Sequence, residues 1–410
     1  MNIKIYRIFV AAISTLLFIS CTDPYALQTN NYEEVLVIEA TITNELKHQE
    51  IKITKSYQLE ENGPTTVSDA VVILKDNLGN SYEFIEQGDK YVSLIEFKAE
   101  SNREYQLKII TENGKSYISS TEVLTHDTPI QNITPVVNTI NGAKGVELIV
   151  NSFDPTNSSK YYRFEYEETN KIIAPRWVPV KAVVVYNPPG ATPPAVINLI
   201  PRTTEARICY TTKKSDKIIL TSTNELNEDR VIFPVRFIRD NDYLIANRYS
   251  IMVKQYVQNL AAYTYYKTLK ELSGSDGILS QNQPGFFFGN IQNENNPNEK
   301  VIGYFEVSTV SSKRIFFNYN EIFPGQNQPK YPYRCDPDPL LGSDDPEFFL
   351  KYCFSPSDLT CAGYTVLSLL ESGNGLYYNF TADQKYEIYP TPCGDCTKFS
   401  ANIIPSFWID

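Results

Sequence analysis

Residues 69–87, DAVVILKDNLGNSYEFIEQ, decide the fold class. Two short runs rich in β-branched and aromatic residues flank Asp76-Asn77-Leu78-Gly79-Asn80, and the Asn and Gly of that pentapeptide mark a hairpin turn. The same grammar continues on both sides. EEVLVIEATITN (33–44) alternates and stops at Asn44, and HQEIKITKSYQ (48–58) places Ile51, Ile53 and Lys55 on one face. GDKYVSLIEF (88–97) and REYQLKIITENGKSYISSTEV (103–123) follow, the latter with a second hairpin signal at Glu112-Asn113-Gly114-Lys115. About seven short strands separated by turns within about 90 residues predict a small β-sandwich over 35–126. THDTPIQN (125–132) reads as the linker out of it.

A larger β-rich region over 127–410 is predicted next. AKGVELIVNSFDPTNSSKYYRFEYEET (143–169) gives two strands around a polar turn, and further strand-like runs extend to NRYSIMVKQYV (247–257). A Pro-rich stretch at 187–194 interrupts them as an exposed loop. One segment breaks the β rhythm. Val257, Leu260, Ala261, Thr264, Tyr265, Thr268, Leu269 and Leu272 follow helical spacing, which predicts an amphipathic helix near 256–273 stopped by Gly274 and packed on a sheet. A second short helix is predicted at 362–373. Composition agrees with a mainly β chain: 13% of residues are aromatic, with 29 Tyr but only 2 Met and 2 His. The net charge of −11, with no Lys/Arg cluster, argues against nucleic acid as a partner.

The first residues address the chain. Lys4 and Arg7 precede an apolar run, Ile8–Ile19, that is too short to span a bilayer and has the length of a signal-peptide core. Ser20-Cys21 directly after it resembles a bacterial lipobox, although Phe18 stands where Leu is usual. The resemblance implies a signal peptide over 1–20, lipid on Cys21 and a tether over 21–34. Acyl chains on Cys21 would then be the anchor that holds the protein to a membrane.

SKYYRFEYEET (159–169), ICYTT (208–212), IILTSTNEL (218–226), NRYSIMVKQYV (247–257), AYTYYKTLKEL (262–272), FGNIQNENNPNEKVIGYFEVSTVSSKRIFF (288–317), CGDC (393–396) and PSFW (405–408) together resemble the envelope lipoproteins grouped as domain of unknown function 4249. The resemblance runs over nearly all of the chain after the signal peptide. It implies an immunoglobulin-like first domain, a larger β-rich second domain and an outer-membrane address. It also implies an accessory role beside a TonB-dependent receptor.

Of the seven cysteines, six lie beyond Cys21: Cys209, Cys335, Cys353, Cys361, Cys393 and Cys396. An even number in an exported chain predicts disulfides that staple the loop-rich segment 335–396, and the spacing leaves the connectivity open among 15 arrangements. Zinc would need a second short-spaced ligand pair beside Cys393 and Cys396. A thioredoxin-like role would need a helix after the pair. Neither pattern is present, so each of Cys393 and Cys396 is expected to bridge and to pin the tail carrying Phe407 and Trp408. Asp336, Asp338, Asp344, Asp345 and Glu347 form an acidic loop with oxygens for a calcium ion but without EF-hand spacing. A solvated loop, with no metal or other cofactor, is the expectation.

No nucleophile elbow, zinc-protease motif or phosphate loop occurs. Glu165, Glu167 and Glu168 leave a two-carboxylate hydrolase as one alternative, with Glu165 and Glu167 on one strand face turned to water. Phe286, Phe287 and Phe288 are the best candidates for an exposed aromatic patch that binds a ligand. The reading that results is a non-enzymatic, lipid-anchored accessory or binding partner. A stand-alone surface protein that binds glycans or peptides is the other alternative.

Overall fold

In a computed structural model of the chain, the residues described are 34–57, 63–191, 195–273, 287–336, 362–380 and 386–410. The protein is mainly β, as the alternation predicts. In the first region the strands are β1 (Leu36–Thr43), β2 (Glu50–Lys55), β3 (Thr65–Thr66), β4 (Val71–Asp76), β5 (Ser81–Gln87), β6 (Lys90–Ser93), β7 (Glu104–Ile110), β8 (Ser116–Ser119) and β9 (Glu122–Val123). Next come β10 (Ile130–Ile140), β11 (Ala143–Asp154), β12 (Tyr161–Ile173), β13 (Val180–Tyr186), β14 (Ala195–Pro201), β15 (Ile208–Lys214), β16 (Ile219–Ser222), β17 (Asp229–Arg239) and β18 (Arg248–Gln258). Helix α1 (Leu260–Ser273) leads on to β19 (Ile291–Asn293), β20 (Val301–Ser308), β21 (Val310–Asn318) and the single turn α2 (Tyr319–Ile322). The last elements are α3 (Ala362–Glu371), β22 (Gly375–Phe380) and β23 (Tyr386–Pro390), before two short 3-10 turns.

The hairpin that opens the sequence reading is β4–β5, and Asp76 closes it by accepting hydrogen bonds from the Leu78 and Asn80 amides at 3.0 and 2.9 Å. The strand ladder of the first unit is continuous, in the order β19-β8-β7-β4-β5-β6-β2-β1-β20. The expected sandwich therefore takes the form of one sheet rolled around one core, in which Ile38, Ile42, Ile51, Leu74, Tyr105 and Phe305 are buried. The sequence boundary at 126 does not end this unit. β19 and β20 return to it from beyond residue 290, β20 lying parallel to β1 from Leu36↔Val301 to Thr43↔Ser308. A parallel pair needs a long crossover, so the partner of β1 stands far from it in sequence. The seam is glycine-dependent. Gly303 has φ +146°, and a methyl group on it would lie 2.2 Å from Ile38 O.

The second unit packs β10-β11-β17 against β15-β12-β18-β21. Between the two sheets lie Val146, Leu148, Val150, Phe164, Tyr249, Ile251 and Val253, all buried. α1 is shorter than the sequence expectation: Val257 belongs to β18, and Asn259 caps the helix by accepting from the Ala262 amide at 2.7 Å. Its buried face is Ala262 and Tyr265, backed by Tyr266 and Leu269, whereas Leu260 is 58% exposed. The stripe is thus rotated from the predicted one, because the helix packs on β12 and β20 together and not on a single sheet. α3 lies within the predicted 362–373.

Strand directions set the order of parts along the molecule. β1 and β20 run from the chain's entry at Glu34 toward the α1 junction, where Asn44 Oδ1 accepts from the Val310 amide at 2.8 Å. β12 starts at that junction, with Tyr161 beside Gln258, and runs away from it to Ile173. Beside its end lies Cys209, opposite Ile172, and past Ile173 come the β13–β14 hairpin and the Cys393 loop, whose carbonyl accepts from the Arg176 amide. At about 3.3 Å per residue the first unit contributes about 26 Å along β1, and β12 about 43 Å more.

Candidate functional site

Three places gather chemistry-bearing side chains: the junction beneath α1, the outer face of β12, and the far end of the second unit.

At the junction, Arg163 on β12 is 7% exposed and sits between the rings of Tyr256 and Tyr266, 4.2 and 4.8 Å from their centroids. Its Nη2 meets Glu306 Oε1 from β20 at 2.6 Å, and Nη1 donates to Glu165. Glu306 also accepts from Thr41 Oγ1 at 2.9 Å and from Gln258 Nε2 at 2.8 Å. Burial alone would lower the Arg163 pKa. Glu306, Tyr266 and Glu165 outweigh it and hold the guanidinium charged. The Tyr256 and Tyr266 hydroxyls are pushed well above their usual range, first by burial and then by the neighbouring Glu165 and Glu306. One fixed charge therefore joins β1, β12, β18, β20 and α1. A second polar knot lies alongside. Glu122 accepts from Asn259 Nδ2 at 2.8 Å and from Asn290 Nδ2 at 2.9 Å. The Asn290 carboxamide also bonds both backbone groups of Phe305, at 2.7 and 2.8 Å, so that it takes the place of a strand between β19 and β20.

The three glutamates of β12 separate. Glu165 and Glu167 share the outer face as predicted, but each is engaged: Glu165 accepts from Tyr256 OH at 3.1 Å and Glu167 from Arg314 Nη2 at 3.0 Å. Glu168 points into the core and receives Arg236 at 3.0 and 3.1 Å and Tyr249 OH at 2.8 Å. The tail crosses this outer face. Phe407 lies 3.5 Å under the Arg314 guanidinium, and Trp408 packs edge-on against Tyr210 and Phe316. A groove of about 420 Å³ opens beside it, lined by Lys171, Ile173, Asn247, Arg248, Asn318, Tyr319, Asn320, Gln328 and Asp410. A second groove of about 340 Å³, lined by Glu34, Thr65, Thr66, Thr111, Asn113 and Glu299 among others, lies at the other pole, where the described chain begins.

At the far end, Cys209 bridges Cys396 and Cys335 bridges Cys393. Cys209, Cys393 and Cys396 are wholly buried. The Arg176 amide donates to Cys393 O, and the Cys396 amide to Ala206 O, so the bridged loop is also tied by its backbone. Cys353 and Cys361 lie outside the described residues, as do Cys21, Phe286, Asp338, Asp344, Asp345 and Glu347. Asp336 is exposed and pairs with Arg334 at 2.9 Å. Among the described residues no three His, Cys, Asp or Glu side chains gather closely enough to hold a metal ion. Phe287 does not join an open patch: it packs on Tyr265 of α1 at 5.2 Å, while Phe288 is 57% exposed.

Sequence reasoning missed Arg163, Glu306 and Asn290. Their signal lay in the quoted runs SKYYRFEYEET and FGNIQN…GYFEV, where a charge or carboxamide interrupts an otherwise apolar strand. Nothing in either run indicates that the two meet.

Folded in this way, the chain is of the mainly β class, two units in series locked by buried polar side chains and stapled at one end. A family model described as Domain of unknown function (DUF4249) matches residues 22–314, and the chain belongs to that family. The match ends before Cys335, Cys393 and Cys396. No curated protein matches the chain.

Proposed function

We propose that this chain is a non-enzymatic outer-membrane lipoprotein, anchored through Cys21, that serves as a binding partner of a TonB-dependent transport system. The observation that carries this reading is the serial layout. The chain enters at one pole, the two units are fastened by Arg163 and Glu306, and the disulfide-stapled lobe stands at the opposite pole. Such a layout holds a recognition surface at a set distance from an anchor. The carboxylates of β12 support a binding role over hydrolysis, since each is already tied to an arginine or a tyrosine. The test is affinity recovery of the full chain from detergent-solubilised membranes. Recovery with a large β-barrel in equal amount supports the proposal; recovery alone sinks it. Protease treatment of intact cells then reports which face of the membrane carries the protein.

The 420 Å³ groove favours a second reading, a surface protein that binds glycans or peptides. Asn320 and Gln328, both exposed, present carboxamides that donate and accept, as hydroxyl-rich ligands require, whereas Asn318 is held by Glu321 and Asn247 donates to Lys171 O. Titration with neutral oligosaccharides, compared between the native chain and Asn320→Ala, separates this reading from the first.

A further inference from the structure

Residues 400–410 cross the outer face of the sheet β15-β12-β18-β21, and they are held there in two ways. The first part is fastened. Cys396 is bridged to Cys209, Ser400 Oγ donates to Tyr210 O at 2.8 Å, the Tyr210 amide donates to Ala401 O at 2.7 Å, and Asn402 Nδ2 donates to Glu205 O at 2.8 Å. From Ile403 onward the segment is seated through side chains. Phe407 lies under the Arg314 guanidinium, and Trp408 packs edge-on against Tyr210 and Phe316. Asp410 Oδ1 takes Lys171 Nζ at 2.6 Å, and Arg248 Nε donates to Ile409 O. All four strands contribute: Tyr210 from β15, Lys171 from β12, Arg248 from β18, Arg314 and Phe316 from β21.

A segment packed for stability buries its apolar side chains. This one leaves Ile403, Ile404 and Ile409 74, 64 and 61% exposed and sinks only Phe407 and Trp408 to half-burial. Its ion pair is open to water, with Asp410 66% exposed, and such pairs hold loosely. The face beneath is nonetheless selective. Lys171 and Arg248 find acceptors on the segment, and Tyr210 and Phe316 receive its indole. The chemistry accepted is two adjacent aromatic residues with a carboxylate two residues on. The 420 Å³ groove extends this face, running from Asp410, Lys171 and Arg248 to Asn320 and Gln328. A second copy of the chain offers only what the resident already supplies at the high effective concentration of its tether. A segment of another protein that also fills the groove offers more.

We infer that this face is a peptide-docking site, occupied at rest by residues 407–410 and taken over by a partner-protein segment with two adjacent aromatics and a carboxylate two residues on. This deepens the binding-partner reading and rests on it. The experiment is fluorescence anisotropy of a labelled, amidated peptide Pro-Ser-Phe-Trp-Ile-Asp, the resident sequence, titrated with the full chain in detergent. The native chain is expected to bind it weakly, and Phe407→Ala with Trp408→Ala, which vacates the face, about tenfold more tightly. Asp410→Asn alone, at an exposed position, should give a smaller gain of about threefold, and Asn for Asp in the peptide a loss of similar size. Equal affinity for the three chains, equal binding of a reordered peptide of the same composition, or no binding to the vacated face each overturns the inference. A native dimer that disappears in the double variant would assign the face to a second copy and overturn it too. Loss of the β-barrel from affinity recovery in the double variant would do the same, since the partner would then read the segment and not the face. Anisotropy reads the face and affinity recovery of the native chain reads the partnership, so one can fail without the other.

Discussion

The junction beneath α1 and the lobe at the far end are both points where separate pieces of chain must be held, and they are held by different chemistry. At the junction two large cores meet, and the seam is noncovalent: Arg163 between two tyrosine rings, Glu306 with three donors, Asn290 in place of a strand. Among the described residues the lobe's cores are small: one cluster has Ile172, Ala174, Cys209 and Cys396 as its buried members, and another Ala195 and Leu367. There the bridges Cys209–Cys396 and Cys335–Cys393 supply what burial does not. A buried ion pair depends on alignment, because misplacing either partner strands a charge. A disulfide holds a loop whether or not the packing around it is dense. The junction thus sets the angle between units, and the lobe keeps its loops in place.

The most damaging break is at the junction. Arg163→Met leaves Glu306 buried beside Thr41 and Gln258 without its cation, and is expected to cost about 3–5 kcal/mol of unfolding free energy. Denaturant titration measures this. Adding Glu306→Gln should return part of the loss, since an apolar side chain facing a neutral carboxamide strands no charge. An undiminished loss in the double variant would mean that ring stacking, and not the ion pair, holds the seam.

Next in size is the lobe. Cys209→Ser with Cys396→Ser should cost about 2–5 kcal/mol, but confined to the lobe. Hydrogen exchange would speed up around Ile208–Lys214 and the 3-10 turns after β23, while β1 and β20 stay protected. Acceleration spread over both units would contradict the division between covalent and noncovalent seams. Mass spectrometry of the unreduced chain supplies a companion check: three bridges are expected in all, Cys209–Cys396 and Cys335–Cys393 among them.

These two regions were also unequally legible in sequence. Local signals were sufficient for the hairpins, for a helix after β18 and for a stapled C-terminal segment, because turn residues, helical spacing and cysteine number act over short range. Asp76-Asn77-Leu78-Gly79-Asn80 states its own geometry. The return of β20 to β1 does not, since a parallel pair carries no turn signal and Leu36 and Val301 share no local pattern. Glu165 and Glu167, two apart on a strand, read as a face turned to water, and by alternation Arg163 shares that face. Only the arrival of Glu306 and α1 turns that face into an interior. The same long-range packing explains why Phe287 is covered and why the first sheet does not close at residue 126.

Asn290→Ala should come third. It removes the bonds to Phe305 N, Phe305 O and Glu122, and is expected to cost about 1–3 kcal/mol. Faster exchange at β19 and β20 would locate the loss at the closure of the rolled sheet. Gly303→Ala tests the same seam sterically, by forcing β20 away from Ile38 O. If exchange at β20 is unchanged in both variants, the closure contributes less than the core beneath it.

Acid is the mildest perturbation, and it acts on both units through one kind of group. Asp76 in the first unit and Asp154 in the second are buried carboxylates that close loops. Burial by itself would raise each pKa. Bonds from Asn80 and Leu78 to Asp76, and from Thr156, Ser159 and Ser158 to Asp154, override it and hold both below the ordinary carboxylate value. A depressed folded-state pKa means that the unfolded chain takes up the proton first as pH falls. The stability these groups contribute is therefore complete above the unfolded value near pH 4 and is lost progressively below it. Thermal unfolding should be flat between pH 5 and 7 and fall toward pH 2. Asp154→Asn should flatten the acid slope for β11–β12 and Asp76→Asn the slope for β4–β5, read as exchange at those strands. If either variant removed the slope in both units at once, the seam at Arg163 would be transmitting the loop's protonation, and the two units would unfold as one.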